Sequence, residues 1–186
     1  ADLAREAKVL SLLRERFDNW QRQGFIPSKV IVRGYNTDQP IRERGWTHWH
    51  HLFTPRQLLT HGLLAEQSFA LARSKAAMVG CLLGLGRMAD WNARLSAWMF
   101  HAGNEKGNQV FYNQALNCHF NYATRAFSKL GDTFSIFSSL SEDNFEQRGS
   151  LVQTDARDLR KTCDLWITDP PYADAVNYHE LSDFFL

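Results

Sequence analysis

Apolar residues recur at helical spacing from the start of the chain. Leu3, Leu10, Leu13, Phe17 and Trp20 fall on one stripe, and arginine and glutamate fill the other face. That pattern predicts an amphipathic helix over residues 2–22, ended by Gly24 and Pro27. Over residues 28–47 the periodicity fades. Val30-Ile31-Val32 predicts a short extended piece in an otherwise irregular segment, and the polar run from Gly34 to Pro40 predicts a turn or loop. A second helix is well signalled. Thr54 suits the N-cap, Pro55 the first helical position, and Gln57 completes a capping box. Phe53 and Leu58 stand where a hydrophobic staple would pair them, so residues 55–72 are expected to be helical. A third helical pattern covers 74–101 through Met78, Leu82, Leu85, Met88, Ala89, Leu95, Trp98 and Met99. Gly80 and Gly84 within it would let another helix pack closely. After a polar break at 103–109, helices are expected over 113–129 and 136–148.

The pattern then changes. Leu151-Val152-Gln153-Thr154 and Asp164-Leu165-Trp166-Ile167-Thr168 each predict a short strand, and Asn177 to Leu186 predicts the start of a helix. Helices followed by parallel-type strands predict an α/β fold with a large helical region before its last strand, seen in part.

Composition narrows the class. With 186 residues, 44% hydrophobic and 22% charged, the chain can bury a core as one domain. No apolar run reaches the roughly 18–20 residues of a membrane span, and no apolar leader follows Ala1, so no membrane partner is expected. Ala1 and the apolar end Asp183-Phe184-Phe185-Leu186 suggest an internal piece of a longer protein, or its ordered part. A net charge of +1 argues against binding a polyanion by bulk charge, although arginine, suited to phosphate and base edges, outnumbers lysine 15 to 6. Cys81, Cys118 and Cys163 form no metal-ligand pair or disulfide framework, which suits a reducing cytoplasm.

The most informative stretch is Asp169-Pro170-Pro171-Tyr172, directly after the apolar run Leu165–Thr168. An acid, two prolines and an aromatic at a strand's carboxyl end suit methyl transfer to an exocyclic amino group. Such a nitrogen is a poor nucleophile because its lone pair is delocalised into the ring. Accepting both of its N–H hydrogens pulls it toward sp3 and frees the lone pair. The Asp169 carboxylate can accept one hydrogen and the Pro170 carbonyl the other, with Pro171 holding that carbonyl's orientation. Tyr172 can stack on a base flipped out of a helix. The bland alternative is a strand-ending turn with a packed tyrosine.

Residues 169–185, Asp-Pro-Pro-Tyr-Ala-Asp-Ala-Val-Asn-Tyr-His-Glu-Leu-Ser-Asp-Phe-Phe, resemble the large prokaryotic adenine-specific DNA methylases of the amino-methyltransferase class. Supporting likenesses are Leu52-Phe53-Thr54-Pro55-Arg56-Gln57-Leu58-Leu59 and the run from Leu85 to Asn92, so that the resemblance spans roughly residues 45–186. The resemblance implies a Rossmann-like, doubly wound S-adenosylmethionine methyltransferase acting on adenine N6 in DNA, of a kind that often serves restriction-modification or phage-defence systems with other subunits. On that reading residues 1–50 are a helix plus an irregular segment, 51–148 a mainly helical region, and 149–186 part of the methyltransferase sheet with the catalytic loop. One departure is large. The family's glycine-rich cofactor loop is absent, since Gly84-Leu85-Gly86 lies inside a helical pattern with no strand before it.

The resemblance also implies that Asp155, with Ala156 beside it, holds the cofactor's adenine, and that Phe53-Thr54-Pro55 lines its methionine end. The bland readings are a turn or cap aspartate at Asp155 and a plain helix start at Thr54. Asn177 and Tyr178, with His179, are candidates for contact with the flipped base, against a simple helix start capped by Asn177. His48, His50, His51 and His61 cluster near Trp46 and Trp49 without a metal-ligand spacing, and Arg42, Arg44 and Arg56 flank them as candidate nucleic-acid contacts or solvated loop residues. Two other readings of the function stay open: an RNA or protein amino-methyltransferase, and a catalytically inactive DNA-binding or assembly subunit.

Overall fold

The computed structural model describes residues 2–96, 98–99, 106–107, 109–111, 152–169 and 177–186. They fall into two compact units, one holding the described residues up to 111 together with 177–186, the other holding 152–169.

The first unit is helical. Helix α1 (Asp2–Gln23) follows the predicted amphipathic stripe, with Leu13 and Trp20 buried along it. Its start is less committed to the core than the spacing implied, since Leu3 is 88% exposed. Helix α3 (Pro55–Leu71) begins as its sequence announces. The Thr54 hydroxyl accepts from the Gln57 backbone N–H, and the Gln57 side chain accepts from the Thr54 N–H at 2.8 Å. α3 packs on α1 on one side and on helix α4 (Lys75–Trp91) on the other. The α1–α3 crossing is close because Gly62 faces Trp20, which is fully buried: a Cβ at Gly62 would fall inside the indole ring's contact radius. The Trp20 indole N–H lies 3.4 Å from Glu66 of α3, and Arg56 pairs with Glu6.

Helix α2 (Asp38–Arg44) stands where the sequence suggested a loop and irregular chain. Pro40 misleads, because proline is tolerated in a helix's first turn, where its missing N–H costs nothing. Gly45, at φ 64°, then ends the helix in the left-handed region and returns its N–H to Ile41 at 3.0 Å. The extended piece before it is real but slight. Val30 bridges His48, and Ile31 points inward while Val30 and Val32 face out.

Helix α4 stops at Trp91 rather than running to residue 101. The Ser96 hydroxyl donates to the Asp90 carbonyl at 2.8 Å and accepts from the Ala93 N–H at 2.9 Å. A serine that bonds nearby backbone in this way offers the chain an alternative to the helix ladder. Arg94 N–H then donates to the Leu52 carbonyl at 2.7 Å, turning the chain back onto the core. Trp98–Met99 (β1) pairs antiparallel with Lys106–Gly107 (β2), where a helix and a polar break were expected. The helices expected over 113–129 and 136–148 lie outside the described residues.

The expected α/β, Rossmann-like architecture is overturned. Most described residues are helical, and the two-residue pair β1–β2 is the whole of the sheet among them. Val152–Thr154 and Asp164–Thr168 form no strand; Ile167 is 86% exposed and Trp166 53%. An apolar run becomes a strand only where a neighbouring chain completes its hydrogen-bond ladder, and no described residue does so here.

The Gly62–Trp20 contact separates helix propensity from packing. Gly62→Ala gains up to about 1 kcal/mol of helix propensity but overpacks the crossing at a cost of about 1–3 kcal/mol. Gly86→Ala in α4 meets Phe185 only at 4.0 Å, an ordinary contact, and keeps the propensity gain. Urea unfolding should therefore show a lower midpoint for Gly62→Ala and an unchanged or higher one for Gly86→Ala.

Candidate functional site

Residues 177–186, the described residues after the Asp169–Tyr172 motif, are seated in the first unit. Asn177 precedes a short helix, α5 (Tyr178–Ser182), and a single 3-10 turn covers Asp183–Phe185, matching the helix start expected there. Asn177 gives no side-chain cap, and Tyr178 is exposed on the first turn. Phe184 is the anchor. It is 4% exposed and stacks on Phe53 at 5.4 Å between centroids and 15° between planes. Trp49 and Phe111 meet its ring edge-on at 5.9 and 5.3 Å.

Two polar tethers flank that anchor. The Glu180 carboxylate accepts from the backbone N–H groups of Tyr35 and Asn36 at 2.9 and 2.8 Å. These bonds hold its pKa below the usual carboxylate range. Gly34 makes the approach feasible, because a Cβ there would collide with the carboxylate. Lys29 pairs with Asp183 at 3.2 Å. No spacing argument could have found these partners, which lie 144–154 residues apart in the chain.

Three stretches singled out in the sequence, the 177–185 part of 169–185, 52–59 and 85–92, meet in this core. Phe53, at the entrance to α3, stacks on Phe184 from the last stretch. The Gln57 side chain donates to Asn92 at 3.4 Å, joining the second stretch to the third. A half-open cavity of about 270 Å3 lies among them, lined by Phe53, Leu58, His61, Gly86, Ala89 and Phe184 with others. Gly84 and Gly86 lie within α4, so the chain's one Gly-x-Gly forms no phosphate-cradling turn.

The candidate residues divide between the two units. Phe53, Thr54, Pro55, Asn177 and Tyr178 belong to the first, and Asp155, Ala156 and Asp169 to the second. Asp155 is exposed and caps a 3-10 turn, Ala156–Asp158, by accepting from the Arg157 N–H at 2.9 Å. The Arg157 guanidinium also donates to it at 2.7 Å, which lowers the Asp155 pKa. Asp169 is exposed. Pro170, Pro171 and Tyr172 lie outside the described residues.

The histidines form a real cluster. His48, His50 and His51 have ring centroids 4.4–5.6 Å apart. Burial, then the neighbouring rings of His51 and His48, push the His50 pKa down to about 4. Among the described residues no group of three or more histidines, cysteines or carboxylates is placed to hold a metal ion. His61 is separate and buried, its Nε2 lying 3.3 Å from the Asn92 carbonyl and its ring edge-on to Phe53.

Comparison of the chain with known protein families, with curated proteins and with solved structures finds no match. No described helix is long and apolar enough to cross a membrane.

Burial lowers the His61 pKa to about 4 from 6.5. The neutral ring is therefore preferred in the folded state, and protonation favours unfolding. The stabilising contribution is fully present above pH 6.5, falls as pH drops toward about 4, and then levels off, a span on the order of 3 kcal/mol. Urea midpoints of the native chain should fall between pH 7 and pH 5, and His61→Gln should flatten that slope. Equal slopes for the two proteins would refute this account.

Proposed function

We propose that this chain is part of an enzyme that transfers a methyl group from S-adenosylmethionine to the N6 amino group of adenine in DNA. The observation that carries the proposal is the tetrapeptide Asp169-Pro170-Pro171-Tyr172, with its acid, its carbonyl fixed between two prolines, and its aromatic. Support comes from the core, where Phe53, Asn92 and Phe184, drawn from the three resembling stretches, are joined directly or through Gln57.

In this reading Asp169 accepts one amino hydrogen of a flipped adenine and the Pro170 carbonyl the other. The nitrogen lone pair is then free to attack, and one N–H proton leaves to a carboxylate or to water. Pro171 keeps the carbonyl oriented, and Tyr172 stacks on the base. On this proposal Asn177 and Tyr178, the first described residues after the motif, contact the flipped base or its neighbours. The sulfonium cofactor supplies the methyl group when bound. Asp155 suits its adenine amino group, because an ionised, exposed carboxylate keeps free lone pairs beside its bond to Arg157. Phe53 and Thr54 suit a ligand less well. The Phe53 ring is spent on Phe184 and the Thr54 hydroxyl on the α3 cap. They hold the region in place rather than offer it binding groups.

The intact protein, incubated with labelled S-adenosylmethionine and unmethylated DNA, should yield N6-methyladenine on mass spectrometry of the digested nucleosides. Asp169→Ala should lower the rate by about 10²–10⁴-fold. Label appearing instead in RNA or protein would transfer the activity to that acceptor. No label anywhere, with no cofactor binding by calorimetry, would favour a non-catalytic subunit.

A further inference from the structure

A second pocket, of about 240 Å3, opens beside the start of α3 and is lined by Trp46, His50, His51, Pro55 and Arg94 with others. Arg94 is its unexplained residue. The backbone is fixed by the bond to Leu52 at 2.7 Å, and the guanidinium lies over Trp46 at 5.8 Å from the ring centroid. Arg44 lies over the same ring at 5.1 Å. The Arg94 Nε is buried with no hydrogen-bond partner, and among the described residues no carboxylate pairs with it. A half-buried, unpaired guanidinium is expensive to hold, and its planar fork matches the oxygens of an anion.

The lining adds a second, neutral donor. The His51 Nδ1 accepts backbone N–H groups from Thr47 at 3.1 Å and His48 at 3.4 Å. Its proton therefore sits on Nε2, which is left as a donor. Burial, His48 and Arg94 all lower the His51 pKa, and among the described residues no acid lines the pocket. Pro55 brings the positive end of the 17-residue helix α3 to the same wall. Arg94 and His51 thus bring donors from two separate segments, and α3 adds its dipole rather than a donor, because Pro55 has no N–H.

We infer that this pocket binds a phosphate group, with Arg94 as its principal ligand and His51 Nε2 as a second donor. The phosphate comes either from a nucleic-acid backbone or from a free phosphate species. The site is independent of the methyl-transfer proposal.

The test follows the arginine Nε–H and histidine ring signals of the isotope-labelled chain by NMR at neutral pH. Inorganic phosphate is titrated in one arm and a short DNA duplex in the other. Phosphate should shift the Arg94 Nε–H signal and raise the His51 pKa. Arg94→Gln should weaken binding roughly tenfold or more, and Arg94→Lys, which keeps the charge but not the fork, by less. Shifts from the duplex at lower phosphate concentration would assign the backbone as source, and shifts from inorganic phosphate alone would assign a free species. The inference is overturned if neither probe shifts these signals, or if folded Arg94→Gln binds as tightly as the native chain. Should Arg94→Gln fail to fold, Arg94→Lys decides: affinity equal to the native chain's also overturns it.

Discussion

The stacking of Phe184 on Phe53 is the contact on which the seating of residues 177–186 in the first unit depends. Phe53 ends one segment and introduces α3, while Phe184 arrives from the far end of the chain. Burying a phenylalanine side chain contributes about 1.5–3 kcal/mol, and here the same ring also closes the edges of Trp49 and Phe111. The polar groups around it act as directional supplements. Glu180 fixes the turn of α5 against the loop at Tyr35 and Asn36, and the exposed Lys29–Asp183 pair adds little energy but limits rotation.

What could be read from the sequence depended on how local its cause was. α3 was legible to within a residue at each end because Thr54, Pro55 and Gln57 specify its start by themselves. α1 was legible from its stripe. α2 was missed because Pro40 looked like a loop signal, although Asp38 before it and Gly45 after it marked a short helix. The early end of α4 was hidden because apolar spacing continued past it while Ser96 diverted the backbone. The two apolar runs near residues 152 and 165 failed for a different reason. A strand is a property of a pair of segments, and one segment's composition does not supply the other.

The candidate site divides along the same line. The chemistry of Asp169 to Tyr172 is written in four consecutive residues and needs no partner to be noticed. The contacts made by residues 177–186, Phe53 with Phe184 and Glu180 with Tyr35 and Asn36, join residues more than a hundred positions apart. Arg94 also gave no sequence signal, because an arginine's want of a counter-ion appears only when its neighbours are known. Thr54 shows the converse. Its sequence supported both a ligand contact and a cap, and the hydroxyl is committed to the cap.

The seating of Phe184 also sets an order of events during synthesis. Helices α1, α3 and α4 pack through contacts within the first hundred residues, so this part of the core can assemble while later residues are still being added. The Phe53 and Trp49 rings, by contrast, lack their cover until the residues around position 184 leave the ribosome. Until then the growing chain carries an incompletely covered aromatic face, and completion of this unit waits on residues more than a hundred positions downstream of Phe53.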